Sequence, residues 1–145
     1  MRFWRGGRRR GVTEWTPDPD YPGWHGRVHL HGDTTLFFSA LDPLVEGVYN
    51  VELVATSGAY DPTWEDADFD RVWAKEGEAT GPGGTKAWGL ALDMLTEAES
   101  LVRNQGGEPI FQISPATEQL MHIYSRFLPR LGYIRVAGDM LKVLR

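Results

Sequence analysis

The run Glu78-Ala-Thr-Gly81-Pro-Gly83-Gly84 stands directly before an amphipathic stretch, Thr85 to Val102. In that stretch Trp88, Ala91, Leu92, Leu95, Ala98 and Val102 recur every three or four residues, which predicts a helix with one apolar face. Unpaired backbone N–H groups and the helix dipole attract anions to such a start, and glycines let a ligand approach the backbone closely. The chemistry on offer is diphosphate binding; the plain alternative is a flexible glycine linker. A second group is His29 and His31, which strand alternation would turn to the same side, with His25 close in sequence. A His-x-His pair needs a third ligand to hold a transition metal, and no His or Glu follows at strand spacing. Two strand-face histidines are therefore the expected reading, with no metal site. No Ser-His-Asp arrangement, P-loop or dinucleotide fingerprint occurs. The chain has no cysteine, which excludes a thiolate zinc site, a cysteine nucleophile and a disulfide framework.

The elements that must position these residues follow from periodicity. Val28 and Leu30, then Gly32-Asp33, then Thr34 to Ala40 read as two strands joined by a tight hairpin. Val48 to Ala55 reads as a further strand, with Tyr49, Val51 and Leu53 on one face and Asn50, Glu52 and Val54 on the other. Residues 56–77 are acidic and aromatic, and a short strand at Arg71 to Lys75 is the one element expected there. Pro109 to Ile113 is short and nearly all apolar, as a strand covered on both faces would be. Ser114-Pro115 looks like an N-cap and first helical residue, opening a helix that runs to about Leu131 with Pro129 loosening its last turn. Gly132-Tyr133 then leads into a closing hairpin, Ile134 to Val136 and Met140 to Leu144.

With 145 residues the chain is expected to form one domain around a single core. Residues 1–23 read as an extended arm and residues 24–145 as the domain. The net charge of −5 hides a division. Arg2, Arg5, Arg8, Arg9 and Arg10 fall in the first ten residues, which contain no acid, and ten basic residues then face 20 acids in the remainder. A cationic arm of this kind has two readings: one that touches nucleic acid, an acidic partner or its own domain, and a plain solvated tail. The acidic body argues against nucleic acid, since it would repel phosphate. Phe3 and Trp4 inside the arm favour docking over solvation. No apolar stretch is long enough to span a bilayer, and no apolar region follows the N-terminal arginines as a secretory signal would require. The expected location is cytoplasmic or within a virion.

The order of glycine loop, helix, strand, second helix ending in Leu131-Gly132-Tyr133 and closing hairpin resembles the coenzyme-binding half of the GNAT superfamily of acyl-CoA N-acyltransferases. The pattern is also similar to small GNAT-like proteins of bacteriophages. The resemblance implies an α/β (α+β) fold: a mixed, mostly antiparallel central sheet flanked by helices, with an extended N-terminal arm. It further implies neighbouring parallel strands at 48–55 and 109–113 that splay apart, with the helix at 85–102 aiming its start into the gap. In this family the loop Gln/Arg-x-x-Gly-x-Gly/Ala holds the coenzyme pyrophosphate, which places acetyl-CoA at Gly81, Gly83, Gly84, Thr85 and Lys86. A strand glutamate takes a proton from the acceptor amine, which falls on Glu52. A helix tyrosine protonates the departing thiolate, which falls on Tyr124. The departures are that Glu78 stands where the amide or cation belongs, Pro82 removes a backbone donor, and Tyr124 lies eight residues before Gly132 instead of four.

Two functions follow. The first is a structural or interaction module with an eroded pyrophosphate loop, a bacteriophage particle component that needs no cofactor. It would meet protein partners or its own copies through the arm and residues 56–77, with no membrane and no nucleic acid. The alternative is an active acetyl-CoA-dependent N-acetyltransferase acting on an amine, with Glu52 as base and Tyr124 as acid.

Overall fold

The computed structural model describes residues 12–31, 34–57, 84–115 and 118–145. Its strands are β1 (Glu14–Pro17), β2 (Gly23–His31), β3 (Thr34–Leu41), β4 (Val48–Ser57), β5 (Ile110–Ile113), β6 (Ile134–Val136) and β7 (Asp139–Val143). Its helices are α1 (Gly84–Arg103) and α2 (Glu118–Phe127), the latter followed by a 3-10 turn at Leu128–Leu131. All seven strands join one sheet in the order β1-β2-β3-β4-β5-β7-β6. The expected hairpin residues 32–33, the strand at 71–75 and loop residues Gly81 and Gly83 lie outside the described residues.

One expectation is corrected here. The α/β arrangement of a sheet flanked by helices gives way to a mixed sheet of seven strands with two helices among the described residues, mostly strand. The reason lies in the connections. Five of the six strand pairings are antiparallel and only β4 with β5 is parallel. Residues 18–22 between β1 and β2, and 42–47 between β3 and β4, are too few to hold a packed helix. Residues 14–17, read from the sequence as part of an irregular arm, form β1 and pair with β2 from Glu14↔Arg27 to Pro17↔Trp24. An edge position tolerates Pro17, whose missing N–H costs no ladder bond on the open side.

Register explains where the core sits. Val28 pairs with Leu36, Ala40 with Val51, Tyr49 with Phe111, and Ile113 with Met140. Alternation therefore places all of these on one face, with Phe38 and Leu144. Every one of them is buried, and all belong to a single cluster that also takes Met94, Ala98 and Val102 from α1 and Leu120 and Tyr124 from α2. The opposite face carries His25, Arg27, Asn50, Glu52 and Val143, and of its strand residues whose burial is described only Gly23 is buried. One face is covered and the other is open.

α1 is anchored across the covered face at both edges of the sheet. Near β1, Trp15 lies over Gly26, meets the Phe38 ring edge-on at 5.6 Å and donates its indole N–H to Glu97 at 2.9 Å. Towards the β7 side, buried Glu99 accepts from Tyr133 Oη at 2.7 Å and pairs with Lys142 Nζ at 2.8 Å. Gly132 places Tyr133 there: it closes the 3-10 turn in the left-handed region at φ 94°, which a side chain would resist. Pro129 sits inside that turn, and the α-helix has ended at Phe127 before it.

Candidate functional site

The parallel pairing of β4 and β5 runs from Val48↔Ile110 to Val51↔Ile113 and stops, while β4 continues to Ser57. Glu52 is the first β4 residue beyond it and is exposed on the open face. Gly84, Thr85 and Lys86 form the first turn of α1, and their side chains lie outside the described residues. The C-terminal end of the helix is held near the start of β4, where Tyr49 Oη donates to Gln105 at 3.3 Å. A 20-residue helix is ~30 Å long.

Tyr124 is buried in the core, and burial pushes its phenol well above the usual tyrosine range. A general acid works best near the operating pH, so this shift makes Tyr124 a poorer proton donor. The two residues assigned to proton transfer thus have opposite surroundings: Glu52 faces solvent and Tyr124 faces the core.

Other polar groups, not singled out by sequence reasoning, share the open face with Glu52. In β3, Ser39 sits between His25 of β2 and Glu52 of β4 as direct cross-strand partners. His25 Nε2 meets Asp18 Oδ1 at 2.6 Å, and Asp18 Oδ2 accepts from the backbone N–H groups of Asp20 and Tyr21. Burial works to raise the Asp18 pKa, but the bonds from His25, Tyr21 and Asp20 prevail and hold its carboxyl below the ordinary value. On the far side of the parallel pair, Asp139 accepts from Ser114 Oγ at 2.6 Å and Gln112 Nε2 at 3.2 Å. Ser114, expected as a helix cap, spends its hydroxyl on this contact instead. The sequence signal for the row was the alternation itself, which fixes which residues share a face but not which strands are neighbours.

The pairing of β2 with β3 shifts register between His29 and His31, and the side chain of His31 lies outside the described residues. Among the described residues no group of three or more His, Asp or Glu is placed to hold a metal ion. No described helix is long and apolar enough to cross a membrane.

The open face also carries a patch of aliphatic side chains at its β5–β7–β6 end. Val48 pairs with Ile110, Ile110 with Val143, and Ile134 with Leu141, so the five share one surface. Ile134 is 63% exposed and Val143 41%. No known family, curated protein or solved structure matches the chain.

Proposed function

We propose that the chain is an interaction module that works by self-association, and that catalysis is not its task. The observation that carries this reading is the one-sided sheet: a seven-stranded face on which every described side chain is at least partly exposed, bearing exposed Ile134, Val136 and Val143. Contiguous apolar surface of this kind marks protein contact sites more often than it marks ordinary solvent-facing sheet. The arginine-rich arm and the acidic remainder supply opposite charges for the same purpose. The likeness to GNAT-like phage proteins supports a place in the bacteriophage particle, on sequence grounds alone.

A second reading keeps the acyltransferase chemistry, with acetyl-CoA at Gly81 to Lys86 and Glu52 as base. It is favoured by one feature: β5 and its parallel pairing end one residue before Glu52, leaving that carboxylate just beyond the paired segment. Against it stand the buried phenol of Tyr124, Glu78 in place of a cation, and the donor lost at Pro82. Calorimetric titration of the folded full chain with acetyl-CoA separates the two. The module reading expects no saturable heat. Saturable binding, with amine acetylation that disappears in Glu52→Gln, would establish the enzyme instead.

A further inference from the structure

We infer that β1 is an exchangeable strand: the groove it fills on β2 and α1 is a binding site for the β1 of a second copy, and the turn at Asp18 keeps each chain closed on itself. This goes beyond the self-association reading and uses a different surface, since β1 is one edge of the sheet and the aliphatic patch lies towards the other. The groove is shaped to one side chain. Its floor is Gly26, where a Cβ would lie 2.6 Å from the Trp15 ring, and its wall is Phe38, met edge-on at 5.6 Å. Glu97 of α1 completes it by accepting the indole N–H at 2.9 Å. Little else among the described residues ties β1 down. It pairs with β2 alone, Trp15 is its one half-buried residue, and the Arg27–Glu14 ion pair at 2.9 Å lies in solvent. Exposed pairs of this kind contribute little.

The connection at residues 18–22 decides whose β1 occupies the groove. Asp18 and Tyr21 each precede a proline, so Asp18, Pro19, Tyr21 and Pro22 all favour extended backbone. An extended connection carries β1 away from its own sheet. The bend back onto β2 is held by Asp18. Its carboxylate accepts from the backbone N–H groups of Asp20 and Tyr21 at 2.9 and 2.8 Å, and its own N–H donates to the Gly23 carbonyl at 3.1 Å. Straightening the connection breaks those three bonds. The remaining contacts of β1 among the described residues can re-form on a second copy, whose groove is the same: the ladder from Glu14↔Arg27 to Pro17↔Trp24, the Trp15 contacts and the Glu14 ion pair. Two copies that trade β1 therefore regain most of what each gave up, which makes exchange a low-cost route to a pair. A short, stiff hinge invites it.

Exchange can be read from a cysteine bridge, because the chain has no cysteine of its own. Glu14→Cys with Arg27→Cys joins exposed cross-strand partners, and the full chain also carries Val143→Glu so that the patch makes no contribution. A closed chain bridges within itself, whereas an exchanged pair bridges between chains and runs as a dimer on a denaturing gel until reductant is added. With Asp18 retained, the bridge should be internal and the chain a monomer. Asp18→Ala, held at high concentration and oxidised after dilution, should shift most of the protein to the bridged dimer. Adding Trp15→Ala should abolish that dimer. Circular dichroism melts verify folding. Deletion of Asp20 and Tyr21, which leaves a connection too short and stiff to bend back, serves as a second opener should Asp18→Ala melt early. Internal bridges alone in both opened variants, a bridged dimer just as abundant with Asp18 retained, or one that survives Trp15→Ala would each overturn the inference. All three leave the self-association reading standing, because that reading is decided separately by the association of the chain without Val143→Glu.

Discussion

Glu99 is the residue on which α1, Tyr133 and Lys142 converge, and it is 5% exposed. Removing one partner from a buried ionic cluster leaves the others desolvated and unpaired. Glu99→Ala should therefore cost about 3–5 kcal/mol, read from urea unfolding; a loss under about 1 kcal/mol would show that the contact is dispensable. The tyrosines give a pH dependence of definite sign. Burial raises the phenol pKa of Tyr124, and burial with the neighbouring Glu99 raises that of Tyr133, above the ordinary 10.0. Their contribution is fully present below that ordinary value. It is lost as pH rises above it, because the unfolded chain releases protons that the folded chain retains. Melting temperature should fall above about pH 10, and the fall should be smaller in Tyr133→Phe than in the unmodified chain. At this scale the sequence was only partly legible. Glu52 could be placed on a strand and on a face by alternation alone. The burial of Tyr124 depends on which elements pack over α2, and that is a tertiary fact.

Among the elements, long periodic segments were read closely. The apolar spacing from Thr85 to Val102 became α1 at Gly84–Arg103, and the strand read at 48–55 became β4 at Val48–Ser57. The parallel partnership of β4 with the short apolar strand was expected from the family resemblance and not from any local pattern, and the two strands do pair in parallel. β1 was missed, since Thr16-Pro17-Asp18-Pro19 lacks the alternation of a strand; its place comes from pairing with β2 and from the packing of Trp15. Gly26 records that packing: a Cβ there would lie 2.6 Å from the Trp15 ring. Gly26→Ala should accordingly destabilise by about 1–3 kcal/mol, with faster amide exchange in β1 than in β4. Unchanged exchange in β1 would mean that Trp15 does not hold the edge strand. The closing strand was read as part of a hairpin, without a face; of its apolar residues Met140, Leu141, Val143 and Leu144, only Met140 and Leu144 are buried.

For the molecule as a whole, the departure from a helix-flanked sheet and the proposed function have a common origin. Among the described residues both helices pack on one face of the sheet, because the connections between β1 and β2 and between β3 and β4 are short, and the residues on the other face are not all polar. An exposed aliphatic patch costs solubility unless something binds it. Composition carried half of this picture through the opposed charges of arm and body. The open face required strand order, which no local pattern encodes. The most direct test of the account is sedimentation velocity across a concentration series for the unmodified chain and for Val143→Glu. The account predicts concentration-dependent association in the first and a monomer in the second, with melting temperatures that agree. A monomer throughout, or association that Val143→Glu leaves intact, would contradict it.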